Sequence, residues 1–270
     1  MNEMLDLTNK LDAITLETLC AINQAATTCK LPYIVVGATA RDMVLHLGYG
    51  APIQRATKDI DFAVRVDSWA SFDALKAELL STDFTSTQTQ HRLISPADIP
   101  VDIVPFGGVE QGNSDIVWPS NGDNVMNVMG FQEAIDNAQQ VLITKDPKIV
   151  CPVVAPEGLI LLKLISWADR AVDLRTKDAN DIRYILTTFY SIRNVKEDIY
   201  DNENVAETER YGWQPEIAAC SVLGKACRKI ASDNTRNHIL KLNDSSNDKN
   251  INRYCRRYER WHKRTKCTIT

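Results

Sequence analysis

Apolar positions along this chain follow two periods, and the change from one to the other falls near residue 150. In residues 3–29, Leu5, Leu11, Ile14, Leu16, Leu19 and Ile22 recur at helical spacing and predict one or two helices. After Pro32, the run Tyr33–Ala38 is short, apolar and closed by Gly37, which predicts a buried strand. Thr39 reads as an N-cap, with Asp42 three residues on, for a helix over 40–47 that Gly48–Pro52 ends. Alternation over 58–66 predicts a second strand, and Asp67–Ser68 can cap a helix through Leu80. Further strands are expected within 85–94 and over 100–106, a short helix near Phe131–Asn137, and a hairpin over 139–154 turning at Lys145–Pro147. Residues 107–140 are otherwise hard to assign.

Beyond Ala155 the helical period takes over. Pro156 sits where a first helical residue would, and the run to Val172 is apolar with polar interruptions. Ile182, Ile185, Leu186 and Phe189 share one face of a following helix, and two more are expected at about 196–209 and 215–232. Residues 243–252 are a polar, low-complexity stretch that reads as a linker. The expected organisation is an α/β domain over 1–150 including the N-terminal helices, a helical lobe over 151–242, and a linker with tail over 243–270.

Composition adds exclusions. Hydrophobic residues at 44% and charged residues at 24% suffice for a sizeable core. No apolar run approaches the roughly 18 residues that a spanning helix needs, and the amino terminus lacks the basic start and apolar block of a signal peptide. Seven cysteines without a CxxC suit reduced thiols and a cytoplasmic location, and the four histidines have no zinc-ligand spacing. The net charge of −4 is unevenly spread: residues 251–270 carry +6, which leaves −10 for residues 1–250. A basic tail on an acidic body is an asymmetry associated with nucleic-acid contact.

The chemistry is carried by carboxylates. Residues two apart on a strand share a face, so Asp59 and Asp61 project together while Ile60, Phe62 and Val64 face the core. Carboxylates that close repel each other unless a cation shares them. Magnesium, a hard ion that takes carboxylate and phosphate oxygens, is the natural candidate, with manganese as a substitute. Asp102 repeats the theme between Val101 and Ile103. If its strand lies beside 58–66, three acids meet at one edge and can hold metal for phosphoryl chemistry. A D-x-D alone equally suits the solvated edge of a half-buried strand. The strand–Gly37–helix turn upstream favours the functional reading, because glycine admits a phosphate close to backbone and a helix start offers free N–H groups.

Val35–Asp42, Arg55–Val64 and Pro100–Gly107 together resemble the nucleotidyltransferase superfamily, whose mark is hG[GS]…DxD…D. Leu161–Arg170 and Arg175–Ile182 are similar to the later motifs of its AbiEii-type branch, toxins of type IV toxin–antitoxin and abortive-infection systems. The resemblance spans roughly 33–190, and Ala38 stands where a second Gly or Ser is usual, leaving Thr39 to supply any hydroxyl. Gly37–Asp42 is also similar to a motif of CCA-adding enzymes, whose other motifs are not evident in the helical half.

The resemblance implies an α+β fold: a nucleotidyltransferase-like mixed sheet with flanking helices, then a helical C-terminal lobe. It also implies an NTP substrate. Asp59, Asp61 and Asp102 would hold metal, and Lys163 would neutralise the triphosphate, its alternative being a snorkelling surface lysine. Gly37, Ala38, Thr39, Arg41, Lys58, Arg170, Asp178 and Asp181 are the further candidates for nucleotide contact. Asp178 and Asp181 would otherwise orient Lys163 or Arg170, Asp42 would cap, and Arg55 and Lys58 would be loop cations. Arg256, Arg257, Arg260 and Lys263 in the tail are candidates for binding an acceptor RNA, the alternative being ion pairs with the acidic body.

The implied function is transfer of a nucleoside monophosphate to an acceptor hydroxyl with release of pyrophosphate. RNA, particularly tRNA, is the suggested acceptor, and a cognate antitoxin the suggested partner. An antibiotic- or protein-modifying transferase, or a non-catalytic nucleotide- or RNA-binding module, are the competing classes.

Overall fold

The structure is a computed structural model, and it describes residues 4–53, 57, 59–119, 125–170, 175–200 and 204–245. Residues 1–231 form one compact unit and 232–270 a second.

The first unit is built on an eight-stranded mixed sheet. Its strands are β1 (Leu5–Asp6), β2 (Tyr33–Val36), β3 (Ile60–Val66), β4 (Thr85–Ser86), β5 (Arg92–Ile94), β6 (Pro100–Gly107), β9 (Gln139–Lys145) and β10 (Lys148–Val153). A separate pair, β7 (Asp115–Val117) and β8 (Val125–Asn127), lies outside it. The spatial order is β1-β9-β10-β2-β3-β6-β5-β4. The centre is β2, β3 and β6, where β2 runs antiparallel to β3 and β3 parallel to β6. All four residues of β2 are buried, as are Ile60, Phe62, Ala63, Val64 and Val66 of β3. That continuous apolar character is what a strand covered on both faces requires.

Helices flank the sheet. Helix α1 (Ala13–Thr28) is capped by Asp12, whose carboxylate accepts from the Thr15 amide, and buries Leu19, Ile22, Ala25 and Ala26. Helix α3 (Trp69–Leu80) is capped by Ser68, as its sequence suggests. Helix α4 (Phe131–Asp136) is the short helix expected there, and the hairpin of β9 and β10 turns where predicted. Helix α5 (Pro156–Asp169) opens with its proline and packs against α6 (Arg175–Thr188). Helices α7 (Arg193–Asp198), α8 (Val205–Arg210) and α9 (Pro215–Ile230) complete the unit. In the second unit, α10 (Asp233–Ser245) begins where the Ser232 hydroxyl accepts from the Thr235 amide. No described helix is long and apolar enough to cross a membrane.

Four local expectations change. Leu5 and Asp6 form an edge strand parallel to β9 rather than a helix, with Leu7 fully buried behind them. Pairing with the hydrogen-bonding groups of the sheet edge outweighs a helical period sampled over one turn. The helix after β2 starts at Gly37, as α2 (Gly37–Arg41), and widens into a π-helical turn over Asp42–Gly48. Two short helices, α7 and α8, stand where one was expected over 196–209. Helix α10 was not anticipated and runs into the stretch assigned to the linker.

Candidate active site

Two adjacent parallel strands set the site. Asp61 on β3 lies in register with Asp102 on β6. Asp59 immediately precedes β3, and its carbonyl accepts from the Thr39 hydroxyl at 2.8 Å. The Thr57 hydroxyl donates to the Asp59 carboxylate. One ligand oxygen from each of Asp59, Asp61 and Asp102 lies within 4.8 Å of the others. The expected meeting of three acids at one strand edge is therefore what the sheet produces.

Negative charge is in surplus at this edge. Burial and the neighbouring Asp59 and Asp102 push the Asp61 carboxyl up to about 6. For Asp59, burial opposes ionisation, but the Thr57 hydroxyl and backbone donors outweigh it and hold the carboxyl below its ordinary value. Among the described residues no salt bridge reaches Asp59 or Asp61. A triad of hard oxygen ligands with surplus negative charge fits magnesium or manganese.

Gly37 gives the site its close wall. Its φ of +71° is a left-handed conformation, and a Cβ there would overlap the Asp61 carboxylate. No other residue lets the β2–α2 turn approach that acid. Thr39 is not the N-cap: Val36 is, and the Thr39 hydroxyl instead fixes the Asp59 backbone. Ala38 lies between them, half-buried on α2.

The remaining candidates gather in a second cluster joining α2, α5 and α6. The Lys163 ammonium donates to Asp178 at 3.0 Å and meets Asp181 at 2.8 Å. Arg170 pairs with the other oxygen of Asp178 at 3.0 Å. Arg41 reaches Asp181 at 2.9 Å and Asp42 at 2.8 Å, with its guanidinium over the Tyr184 ring. Asp178 is fully buried, and Asp181 and Arg41 are each 2% exposed. Arg41, Asp178 and Asp181 are buried and paired: the two acids hold Lys163, as the alternative reading of them expects, and the Arg41–Asp181 pair ties α6 to the helix that follows Gly37. Lys163 is not a snorkelling surface lysine, since two buried carboxylates hold it, and it lies near enough to Asp61 to favour its ionised form. Asp42 is the half-buried partner of Arg41, and its carboxyl is raised by that partial burial despite the guanidinium.

Two residues were missed. Arg92 on β5 grips Asp102 through two hydrogen bonds of 2.6 Å, a pairing visible only once β5 is known to flank β6. Lys177, exposed on α6 within the motif Arg175–Ile182, acts electrostatically on both Asp59 and Asp61. Arg55, Lys58, Arg256, Arg257, Arg260 and Lys263 lie outside the described residues.

A family model for the nucleotidyl transferase AbiEii toxin of type IV toxin–antitoxin systems matches residues 19–260. The chain belongs to the AbiEii nucleotidyltransferase family. It is thus a nucleotidyltransferase, and the three acids and the Gly37 turn are the residues on which its sequence resembles that superfamily. No curated protein matches it. Among solved structures it is similar to the ANT(2″)-Ia complex with adenylyl-2″-tobramycin, at 17% identity over 64% of this chain and 88% of that one, with a TM-score of 0.40. An antigenic nucleotidyltransferase-like protein from Paracoccidioides brasiliensis matches at 18% identity over 65% and 77%, TM-score 0.40. The Thermotoga maritima CCA-adding enzyme complexed with tRNA matches at 10% identity over 78% and 54%, TM-score 0.28. At such loose superposition the family assignment rests on the sequence match.

Proposed function

We propose that this AbiEii-family protein transfers a nucleoside monophosphate from an NTP to the hydroxyl of an RNA acceptor, tRNA foremost, in a reaction that depends on magnesium or manganese. The observation that carries the reading is the convergence of Asp59, Asp61 and Asp102 beside the Gly37 turn. Those three carboxylates would hold the ion, which when bound supplies Lewis-acid charge to the reacting phosphate. Asp102 takes the proton of the acceptor hydroxyl. The acceptor oxygen forms its bond to the α-phosphorus as the bond to the bridging oxygen breaks, and that electron pair leaves with pyrophosphate. Lys163, held at fixed orientation by Asp178 and Asp181, faces the departing phosphates, and Gly37 admits the triphosphate close to backbone N–H groups. Fixed placement of this kind supplies most of the rate in phosphoryl transfer.

The RNA acceptor is supported by the +6 tail on a body of −10, in which Arg256, Arg257, Arg260 and Lys263 are interleaved with Tyr254, Tyr258 and Trp261. The family description supports a toxin role opposed by an antitoxin, in the cytoplasm where NTP and tRNA are found. The test is incubation of the full chain with each radiolabelled NTP, magnesium and total RNA. Label is expected in RNA from one or a few NTPs. Label in protein or small molecules instead would overturn the acceptor, and no transfer to any acceptor would overturn the reaction.

A further inference from the structure

Arg92 stands opposite Asp102 in the antiparallel pairing of β5 with β6. Its Nε donates to one carboxylate oxygen and its Nη2 to the other, each at 2.6 Å. A fork-on-fork pair of this geometry engages both oxygens of the acid at once. Asp102 is also one of the three acids whose oxygens converge. The same carboxylate therefore has two competing partners, a guanidinium and a divalent cation.

Resting on the nucleotidyl-transfer reading of this site, we propose that Arg92 is an exchangeable cation of the active centre. It holds Asp102 while the metal is absent, yields it when metal and NTP arrive, and then turns its guanidinium to the NTP phosphates. Three features carry this. The Arg92 side chain is 38% exposed, so it has room to swing, whereas Arg41 in the neighbouring cluster is locked at 2%. Its backbone is fixed whichever partner it holds, because β5 pairs with β6 and the Ile103 amide donates to the His91 carbonyl at 2.8 Å. Charge sets the direction of the exchange. With the triad ionised, Arg92 leaves a surplus of two negative charges; a divalent cation would cancel that surplus, so the guanidinium would face a net charge of −1 instead of −3 and be held far less strongly. The incoming phosphates restore negative charge within reach of a side chain whose planar fork suits phosphate as well as carboxylate. While on Asp102, Arg92 is a positioning residue; on the phosphates it becomes a catalytic one.

The proposal makes a prediction of unusual sign. In full-length protein without nucleotide, Mn2+ titration followed by electron paramagnetic resonance should show Arg92→Gln binding the ion about three- to thirtyfold more tightly than wild type, since no cation has to be displaced. The same variant should transfer nucleotide more slowly and with a higher KM for NTP. Arg92→Lys, which keeps the charge but loses the fork, should fall between the two in Mn2+ affinity and should not restore wild-type turnover. Unchanged or weaker Mn2+ binding in both variants would overturn the exchange and leave Arg92 as a fixed support of Asp102. If wild type bound Mn2+ and transferred nucleotide normally, that result would sink the exchange alone; if wild type did neither, the underlying reading would fall with it.

Discussion

The acid edge of the sheet and the charged cluster between α5 and α6 contain the same residue types and differ in balance. In the cluster, Arg41, Lys163 and Arg170 interlock with Asp42, Asp178 and Asp181, three cations against three acids, with its central atoms buried. At the edge, three carboxylates converge and only Arg92 forms an ion pair with them among the described residues. A buried charge that is paired belongs to the architecture, because breaking the pair strands its partner. A concentration of like charge that stays unpaired is costly to the fold and persists where a ligand completes it. Balance, more than burial or residue type, separates what holds this site from what works in it.

The largest effect should come from the edge. Asp59→Asn and Asp61→Asn each keep shape and remove only charge, so nucleotide transfer should fall by at least about 10³-fold. In the metal-free protein the melting temperature of Asp61→Asn should hold or rise, because repulsion is relieved, whereas Asp59→Asn should bring no gain, since the fold favours the ionised form of that acid. Wild-type turnover in the folded double variant would break the contrast from this side.

The cluster should respond in the opposite way. Lys163→Ala removes a cation shared by two buried acids and should cost about 3 kcal/mol or more of stability, besides weakening NTP binding. Adding Asp178→Asn and Asp181→Asn should recover part of the stability and none of the NTP affinity. Chemical denaturation and calorimetric NTP titration of the same variants separate the two. If Lys163→Ala loses NTP affinity with its stability intact, the cluster is a binding site and not a scaffold.

Much of this was legible in the chain. Strand alternation and the D-x-D spacing place Asp59 and Asp61 on one side, and an apolar strand flanking Asp102 makes it a natural neighbour of 58–66. What the sequence hides is set by pairing between distant segments. Arg92 meets Asp102 only because β5 folds back along β6, and Arg41 meets Asp181 across 140 residues. The same cause explains the errors. Thr39 has the sequence of a helix cap, but its hydroxyl is claimed by Asp59, 20 residues away, once β2 and β3 lie together. The same distant pairing buries Arg41, a nucleotide-contact candidate by its motif, against Asp181 of α6.

The smallest predicted effect is on pH. The folded protein raises the Asp61 carboxyl to about 6 through burial and its acidic neighbours, so the fold binds that proton more tightly than the unfolded chain does. Its contribution to stability is fully present below the unfolded value near 3.8 and is lost as pH rises through about 6. In metal-free protein, the stability of wild type relative to Asp61→Asn should therefore decline across that window and level off above it. A flat difference would mean that burial and the neighbouring acids do not raise the Asp61 carboxyl.

The most direct test of the central claim is the thermal response to divalent metal above pH 7. At about 100-fold excess over its dissociation constant, Mg2+ or Mn2+ should stabilise wild type by about 2.7 kcal/mol. The Asp59→Asn/Asp61→Asn double variant should lose this response, while Asp178→Asn/Asp181→Asn, if folded, should keep it. An equal metal-dependent rise in melting temperature in wild type and in the edge variant would contradict the account.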